Sequence, residues 1–218
     1  MPIARAHNIA VSLDGFATGE GQSLETPFGH AGRRLMEWFF PTATFQRQTG
    51  ARERQTVDQT ADQDDWFAAQ SFEGIGAEIM GANKFGPPGW QEDPEWRGWW
   101  GEEPPFHTPT FVLTHSPKPA LEMEGGTTFH FISATPEVAL ATAFDAAQGL
   151  DVRIGGGPTM VREFLAAGLV DHLHVVQVPI LLGRGVRLWD GLEGLERMYN
   201  VESVTTPSGV THLTFTKQ

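Results

Sequence analysis

Three consecutive glycines, Gly155-Gly156-Gly157, constrain the fold of this chain more than any other feature. An extended, largely apolar segment, residues 152–154, precedes them, and Pro158 stands where a helix would begin. Glycine allows positive φ and removes the Cβ atoms that would hold a ligand off the backbone. Proline suits the first helical position, where its missing N–H would have no partner. The pattern predicts a strand, a bare turn and a helix over residues 159–167 whose free amides attract phosphate. A tight turn that uses glycine only for packing is the alternative.

Composition limits the class of protein. A chain of 218 residues with 40% apolar content is long enough for one globular domain with a proper core. We find no apolar run that could cross a bilayer, and the N-terminus lacks the pattern of a secretory signal. Because the chain has no cysteine, disulfides, thiolate metal sites and cysteine nucleophiles are excluded. We therefore expect a cytoplasmic protein.

The negative charge is concentrated in one stretch. Of the net charge of −12, residues 58–103 carry −9, because eleven acidic residues there face only Lys84 and Arg97. Nucleic acids and anionic membranes require a basic surface, so we expect neither as a partner. An anionic cofactor would have to be held by local amides and a few nearby cations.

The order of the elements predicts the architecture. A buried first strand over residues 7–13, a short helix over 33–40, a helix over 64–73 and a strand over 76–81 precede regular alternation of strands and helices from residue 110. This order predicts an α/β three-layer sandwich with a mostly parallel central sheet and an antiparallel edge at the C-terminus. We expect one domain over residues 1–218. A polar insert at about residues 41–63, either loop or mobile, and a loop rich in tryptophan and proline at residues 86–109 interrupt it.

Several segments together resemble a known superfamily. Ile154-Gly155-Gly156-Gly157 resembles the strand-to-helix turn of dihydrofolate reductases, and Met80-Gly81-Ala82-Asn83-Lys84-Phe85 resembles their second nucleotide turn. Ser12-Leu13-Asp14-Gly15 and Pro179-Ile180-Leu181-Leu182-Gly183 are more similar to the C-terminal reductase domain of bifunctional riboflavin-synthesis enzymes. The chain is identified as a member of the dihydrofolate-reductase-like superfamily, in the riboflavin-reductase-like branch.

The resemblance implies an NAD(P)H-dependent reductase, and it also implies which residues would hold the coenzyme. By position, the glycine turn and the start of its helix would cradle the pyrophosphate: Gly155, Gly156, Gly157, Pro158, Thr159 and Met160. The second turn, Gly81, Ala82, Asn83 and Lys84, would flank the nucleotide, and the strand end Leu113, Thr114 and His115 would meet the adenosine and ribose. The nicotinamide pocket would be lined by Ala10, Val11 and Ile154. In a doubly wound sheet all of these lie at the carboxyl ends of strands.

Two departures concern the 2′-phosphate. Ala82 stands where the family has arginine after Met-Gly, and Pro158 stands where dihydrofolate reductases often have a basic residue. Lys84, His115 or Arg162 could substitute, although a lysine does not replace an arginine fork neutrally. We expect NADPH on the resemblance alone, with NADH as the alternative.

Two acids are candidates for catalysis. Asp14 ends the first strand; if partly desolvated, its pKa would rise and it could relay a proton to a reduced imine or carbonyl. Alternatively, Asp14-Gly15 is simply a turn that caps backbone amides. Dihydrofolate reductases carry a pterin-binding acid in the helix before the Met-Gly strand, and Asp65 is our candidate among Asp62, Asp64 and Asp65. Capping of the helix explains these acids more simply.

Aromatic residues and histidines offer further sites. The loop contains four tryptophans, Trp90, Trp96, Trp99 and Trp100. They pack the loop against the body, or one or two of them stack on a flat heterocycle and act as a lid. The acidity of this loop argues against a substrate with several phosphates. His172 and His174 alternate on a strand, but with no third ligand at suitable spacing we expect ordinary strand surface or a dimer contact, and no metal site.

The leading hypothesis is a homodimeric oxidoreductase that transfers hydride from NADPH to a C=N or C=O bond of a small pterin- or aminopyrimidine-like heterocycle. Authentic dihydrofolate reduction, and dinucleotide binding without turnover, are the alternatives.

Overall fold

The structure is a computed structural model that describes residues 1–49 and 62–218. Within these residues, strands and helices alternate through the second half of the chain, as predicted. The strands are β1 Ala4–Ser12, β2 Phe16–Thr18, β3 Ile75–Gly81, β4 Pro109–Leu113, β5 Leu121–Glu122, β6 Thr128–Ile132, β7 Asp151–Ile154, β8 His172–Val178, β9 Val186–Arg187, β10 Tyr199–Thr205 and β11 Thr211–Lys217. The α-helices are α1 Ala43–Thr49, α2 Asp62–Gln70, α3 Ala82–Phe85, α4 Pro136–Ala146 and α5 Pro158–Ala166.

The described strands form a nine-stranded mixed sheet in the order β10-β11-β8-β1-β7-β3-β4-β6-β5, and β2 pairs with β9 separately. The pairs β1–β7, β7–β3, β3–β4 and β4–β6 are parallel, whereas β10–β11 and β5–β6 are antiparallel. Helices flank this sheet. The predicted α/β architecture, with a mostly parallel centre and an antiparallel C-terminal edge, is confirmed.

The chain divides into two compact units, which we describe separately. The first comprises Met1–Ala6 and Gly74–His172, and the second comprises His7–Glu73 and Leu173–Gln218. The first unit contains β3 to β7 with α3 to α5, and the second contains α1, α2, β2 and β9 to β11. That residues 1–218 form one domain stays a prediction.

Local sequence explains where the two long helices of the first unit begin and end. Thr135 caps α4 by accepting the Val138 N–H, and Pro136 occupies the first helical position. Helix α5 begins at Pro158 and is followed by Gly168, whose φ of +68° reverses the chain. The Gly168 N–H donates to the Leu165 carbonyl, and a glycine of positive φ is a common way for a helix to end.

Two segments differ from the prediction. The helix expected over residues 33–40 is a shorter 3₁₀ turn at Gly32–Met36. The predicted loop or mobile insert at residues 41–63 begins instead with α1, whose Phe45 ring contacts those of Phe39 and Phe40 at 5.3 and 5.1 Å. These contacts join rings five and six positions apart in the sequence, so they leave no helical periodicity in it. The rest of that insert up to residue 61 lies outside the described residues.

Each unit has its own core. The first unit buries Met80, Phe85, Trp90, Val112, Met123, Phe129 and Phe131. The second buries Ala10, Phe16, Leu35, Trp38, Ala68, Val176, Val178, Leu182 and Val210. Among the described residues, no helix is both long and apolar enough to span a bilayer.

Candidate coenzyme site

The predicted glycine turn connects β7 to α5. The Gly155 N–H donates to the Ile79 carbonyl at 2.8 Å, and the Gly156 carbonyl accepts the Gly81 N–H at 3.0 Å. Gly156 has a φ of +106°, a conformation that strongly favours glycine. Gly157 is the N-cap residue of α5 and provides no side-chain cap. The first amides of α5 therefore have neither an intrahelical acceptor nor a capping side chain.

The three glycines serve different purposes. A Cβ atom on Gly155 would overlap the carboxylate of Glu78 and the ammonium of Lys84. A Cβ atom on Gly157 would meet nothing within 4 Å, and the φ of this residue is −71°. Packing thus explains Gly155, conformation explains Gly156, and only Gly157 leaves open space in front of the helix amides. The packing alternative therefore holds for Gly155, and phosphate binding by the turn stays a prediction.

A second turn lies beside the first. Strand β3 ends at Gly81, and α3 begins at the next residue. A Cβ atom on Gly81 would lie 3.6 Å from the Met160 Cβ and 3.9 Å from the Gly157 nitrogen. The two turns are in contact through backbone, since the Gly81 N–H donates to the Gly156 carbonyl, and a Cβ atom on Gly81 would make only ordinary van der Waals contacts.

The parallel register aligns a third strand end with these turns. Ile79 is level with Ile154, and Gly81 is level with Leu113. Thr114 follows directly, buried, with its N–H donated to the Ile132 carbonyl and its hydroxyl accepting the Ser116 N–H at 3.1 Å. Most of the predicted coenzyme residues thus share one edge of the sheet in the first unit: Gly81, Ala82, Asn83, Lys84, Leu113, Thr114, His115, Ile154, Gly155, Gly156, Gly157, Pro158, Thr159 and Met160. Ala10 and Val11 are buried in β1 of the second unit, and their role stays a prediction.

Lys84 is engaged differently from the expectation. Its ammonium donates to Glu78 Oε1 at 2.9 Å and to the Gly155 carbonyl at 2.6 Å. Arg153 donates from Nε to Glu78 Oε2 at 2.8 Å and makes a second bond from its terminal nitrogen. We call these three residues the Glu78 cluster. Burial lowers the pKa of Lys84, Glu78 opposes this shift, and Arg153 adds to it.

Sequence reasoning missed two members of the cluster. Glu78 and Arg153 have side chains only 1% and 7% exposed, on adjacent strands whose other buried residues are apolar. The sequence does carry a signal for this pair. Two buried strands each contain one charged residue shortly before a glycine turn, and the two charges are opposite. A charge in such a strand is almost always paired.

Asp14 behaves as the capping alternative describes. Its carboxylate accepts the N–H groups of Leu182 at 3.1 Å and Gly183 at 2.7 Å, and it also accepts the Ser12 hydroxyl. These bonds, with that of Ser12 the largest cause, lower the pKa of Asp14 to about 2. The expected rise in pKa was wrong, because hydrogen bonds to the charged form outweigh desolvation. An ionised Asp14 cannot donate a proton at neutral pH, and its catalytic role stays an untested prediction.

Asp65 holds α1. Its Oδ1 accepts the Thr44 N–H at 2.6 Å, within the first turn of that helix. This is a capping interaction across two helices, and a pterin-binding role for Asp65 stays a prediction.

Asp64, the neighbour of Asp65, ends a buried histidine chain that consists of Asn8, His174, His212 and Asp64. The Asn8 N–H donates to His174 Nδ1 at 3.3 Å, His174 Nε2 lies 2.9 Å from His212 Nδ1, and His212 Nε2 lies 2.9 Å from Asp64 Oδ1. His174 Nδ1 also lies 3.1 Å from Asn8 Oδ1, an acceptor, so either tautomer of His174 finds a partner on Asn8. His212 Nε2 carries a hydrogen toward Asp64 Oδ1, because a carboxylate only accepts. His174 and His212 are each 1% exposed.

His174 therefore corrects an expectation. It is not strand surface or a dimer contact, because its ring is buried and stacks on Phe67 at 5.1 Å. His172 is half-buried, and burial and then Arg5 lower its pKa. Among residues 1–49 and 62–218 no group of histidine, aspartate or glutamate side chains could hold a metal ion.

The tryptophan loop mainly packs. Trp90 is 3% exposed and belongs to the core of the first unit, with Trp96 and Trp100 against it. The Trp96 indole N–H donates to the Phe85 carbonyl at 3.2 Å. Prolines keep this loop out of regular structure apart from one 3₁₀ turn at Trp90–Glu92. Packing explains three of the four tryptophans.

Comparisons with known proteins identify the family. The fold is that of dihydrofolate-reductase-like proteins. A model of the RibD C-terminal domain matches residues 6–212, and the chain therefore belongs to that family. No curated protein matches the chain.

Solved structures share the fold at low identity. The putative riboflavin biosynthesis protein of Shewanella sp. PV-4 is 21% identical with a TM-score of 0.60, over 100% of this chain and 99% of that one. The Thermotoga maritima diaminohydroxyphosphoribosylaminopyrimidine deaminase/5-amino-6-(5-phosphoribosylamino)uracil reductase is 14% identical with a TM-score of 0.56, over 100% of this chain and 57% of that one. Dihydrofolate reductase of Enterococcus faecalis, complexed with NADP(H), is 15% identical with a TM-score of 0.52, over 100% and 96%. Family and fold together support an oxidoreductase of the riboflavin-pathway or dihydrofolate-reductase type.

Proposed function

We propose that this protein is a reductase that transfers hydride from NADPH to a C=N or C=O bond of a small pterin- or aminopyrimidine-like heterocycle. One observation carries the proposal. The first amides of α5 have no capping side chain, and the space next to Gly157 is open. They lie beside the Gly81 turn, at the edge of the sheet where β7, β3 and β4 end. A dinucleotide's diphosphate is the ligand that such amides bind best.

The residues present fit this coenzyme. Gly157 leaves space that a Cβ atom would fill, Gly156 holds the turn, and the buried Thr114 ends the neighbouring strand. We assign residues 155–160 to the diphosphate, residues 81–83 to its flank, and Leu113, Thr114 and His115 to the adenosine and ribose. The bound coenzyme supplies the hydride, and the chain's own residues bind, orient and exclude water.

Binding without turnover is the second candidate, because a specific observation favours it. Asp14 has a pKa of about 2, and Asp65 is bonded to the backbone of α1. Neither predicted acid is thus placed as a proton donor at neutral pH. Authentic dihydrofolate reduction is weakened by the same contact of Asp65, since the pterin-binding acid of that enzyme was expected at this residue.

Coenzyme titration with two glycine variants tests the proposal. Gly157→Ala creates no clash and has a permissible φ, so we expect the parent's melting temperature with at least tenfold weaker binding of NADPH. Gly149→Ala, at the opposite end of β7, also meets nothing within 4 Å, but its φ of +86° strains alanine, so this variant should melt lower and still bind NADPH as the parent does. Equal affinity of the two variants, or a parent that binds neither coenzyme, would contradict the proposal.

Turnover separates the two candidates. The protein with bound NADPH is mixed in turn with each member of a panel of dihydropterins, aminopyrimidinones and quinones. At least one of these compounds should cause oxidation of NADPH, measured as a fall in absorbance at 340 nm. Saturable binding with no oxidation across the panel would favour the binding protein. Tighter binding of NADH than of NADPH would reverse the expected coenzyme preference, and sedimentation would test the predicted homodimer.

A further inference from the structure

The Glu78 cluster carries an unbalanced charge beneath the glycine turn. Two cations, Lys84 and Arg153, share the single carboxylate of Glu78. Arg153 alone satisfies one carboxylate oxygen with two bonds, so the pair of Arg153 and Glu78 is already neutral without Lys84. A third charged group at such a place costs desolvation energy that pairing does not return.

Lys84 transmits that charge to one particular amide. Its Nζ lies 2.6 Å from the Gly155 carbonyl oxygen, and the other end of this peptide unit is the Gly156 N–H. A cation on the carbonyl oxygen polarises the peptide and strengthens its N–H as a donor. The approach is possible only because residue 155 has no Cβ atom.

The site lacks cations where the family resemblance places them. Ala82 and Pro158 stand at the two positions expected to be basic, and the overall charge of −12 repels an anion. A dianionic diphosphate at this edge would therefore depend on some other positive charge.

We propose that the Glu78 cluster is that charge, with Lys84 as a positioning residue that holds the coenzyme's diphosphate through the Gly155–Gly156 peptide. This inference rests on the proposed function. The cluster acts on the diphosphate, which NADH and NADPH share, and not on the 2′-phosphate. Loss of the cluster's charge should therefore weaken the binding of both coenzymes equally.

Opposite charge changes give the sharpest test. Lys84→Met removes the extra cation and leaves the neutral pair of Arg153 and Glu78, and we expect the affinities for NADPH and NADH to fall together by about tenfold or more. Glu78→Gln leaves both cations and should strengthen binding of both coenzymes. A merely structural role would weaken binding in both variants. Lys118→Met is the control, because that ammonium lies over the rings of Trp90 and Phe131 and not on the turn.

The pH profile provides a second readout. Glu78 from β3, Arg153 from β7 and the ring of Phe106 face the Lys84 ammonium, and burial holds its pKa below the ordinary value. The cation is present below that pKa, so the parent's affinity should fall as pH rises through it, at a pH below the ordinary lysine value of 10.5. Lys84→Arg stays charged and should bind without this alkaline decline, while Lys84→Met should bind weakly at every pH.

Each outcome decides the question. A parent that binds neither coenzyme refutes the proposed function itself. A parent that binds, with Lys84→Met indistinguishable from it at all pH values, refutes only the role of the cluster. Loss of NADPH affinity with NADH unchanged would place Lys84 at the 2′-phosphate and overturn the inference. If Glu78→Gln does not fold, as its melting curve would show, the comparison of Lys84→Met with Lys84→Arg decides alone.

Discussion

Removal of the Asp64 carboxylate should cost far more stability than removal of its neighbour Asp65. Asp64 Oδ1 accepts His212 Nε2 at 2.9 Å and the Thr206 hydroxyl at 2.7 Å, and the residue is 1% exposed. Asp64→Ala leaves the buried His212 Nε2 without this acceptor and Thr206 with Ser208 Oγ at 2.9 Å as its remaining partner, which we estimate at about 3–5 kcal/mol. Asp65→Ala removes one capping bond, worth about 1 kcal/mol.

The pH dependence follows from the direction of the shift. Burial raises the pKa of Asp64, but the hydrogen bonds of His212, Thr206 and Ser208 and the charge of His212 outweigh it, so the pKa lies below its ordinary value of 3.8. A lowered pKa stabilises the folded state above the ordinary value, and this contribution is lost as pH falls through the folded pKa. The parent should therefore lose stability below about pH 4 more steeply than Asp64→Ala does.

Urea denaturation of the parent and both variants at pH 7 and at several acidic pH values measures these differences. If Asp64→Ala costs no more than Asp65→Ala, or if its acid limb is as steep as that of the parent, the buried histidine chain does not stabilise the second unit.

Three further predictions concern single residues. Gly155→Ala would overlap the Glu78 cluster, so both its melting temperature and its coenzyme affinity should fall, whereas Gly157→Ala loses only the affinity. Trp90→Ala should cost about 3–5 kcal/mol in urea denaturation, and Trp99→Ala, outside the core cluster, clearly less. Asp14→Asn should lower the melting temperature but leave any pH profile of turnover between pH 5 and 8 unchanged, because its pKa of about 2 lies outside that range; a shifted profile would restore Asp14 as the acid.

Periodicity and turn chemistry made much of the fold predictable. The helix starts at Pro136 and Pro158 and the reversal at Gly168 were predictable because capping and φ preferences act within a few residues. The glycine turn and the Gly81 turn were predictable for the same reason, and parallel pairing then brings them to one edge.

Long-range polar contacts were not predictable. The charge of Lys84 suggested a nucleotide contact, but its partners Glu78 and Gly155 are fixed by the register of β3 and β7. Likewise, Asp64 and His212 are 148 positions apart, and no local pattern connects them. Local sequence identifies a titratable group, whereas tertiary contacts decide its protonation and its task.

The amide resonances of the glycine turn give the most direct test of the central claim. On addition of saturating NADPH, the amide signals of Gly156, Gly157, Thr159 and Met160 should shift most, together with that of Gly81, in a ¹⁵N-correlated spectrum of the intact chain. Shifts confined to other segments, or none at all, would show that the turn does not bind the diphosphate.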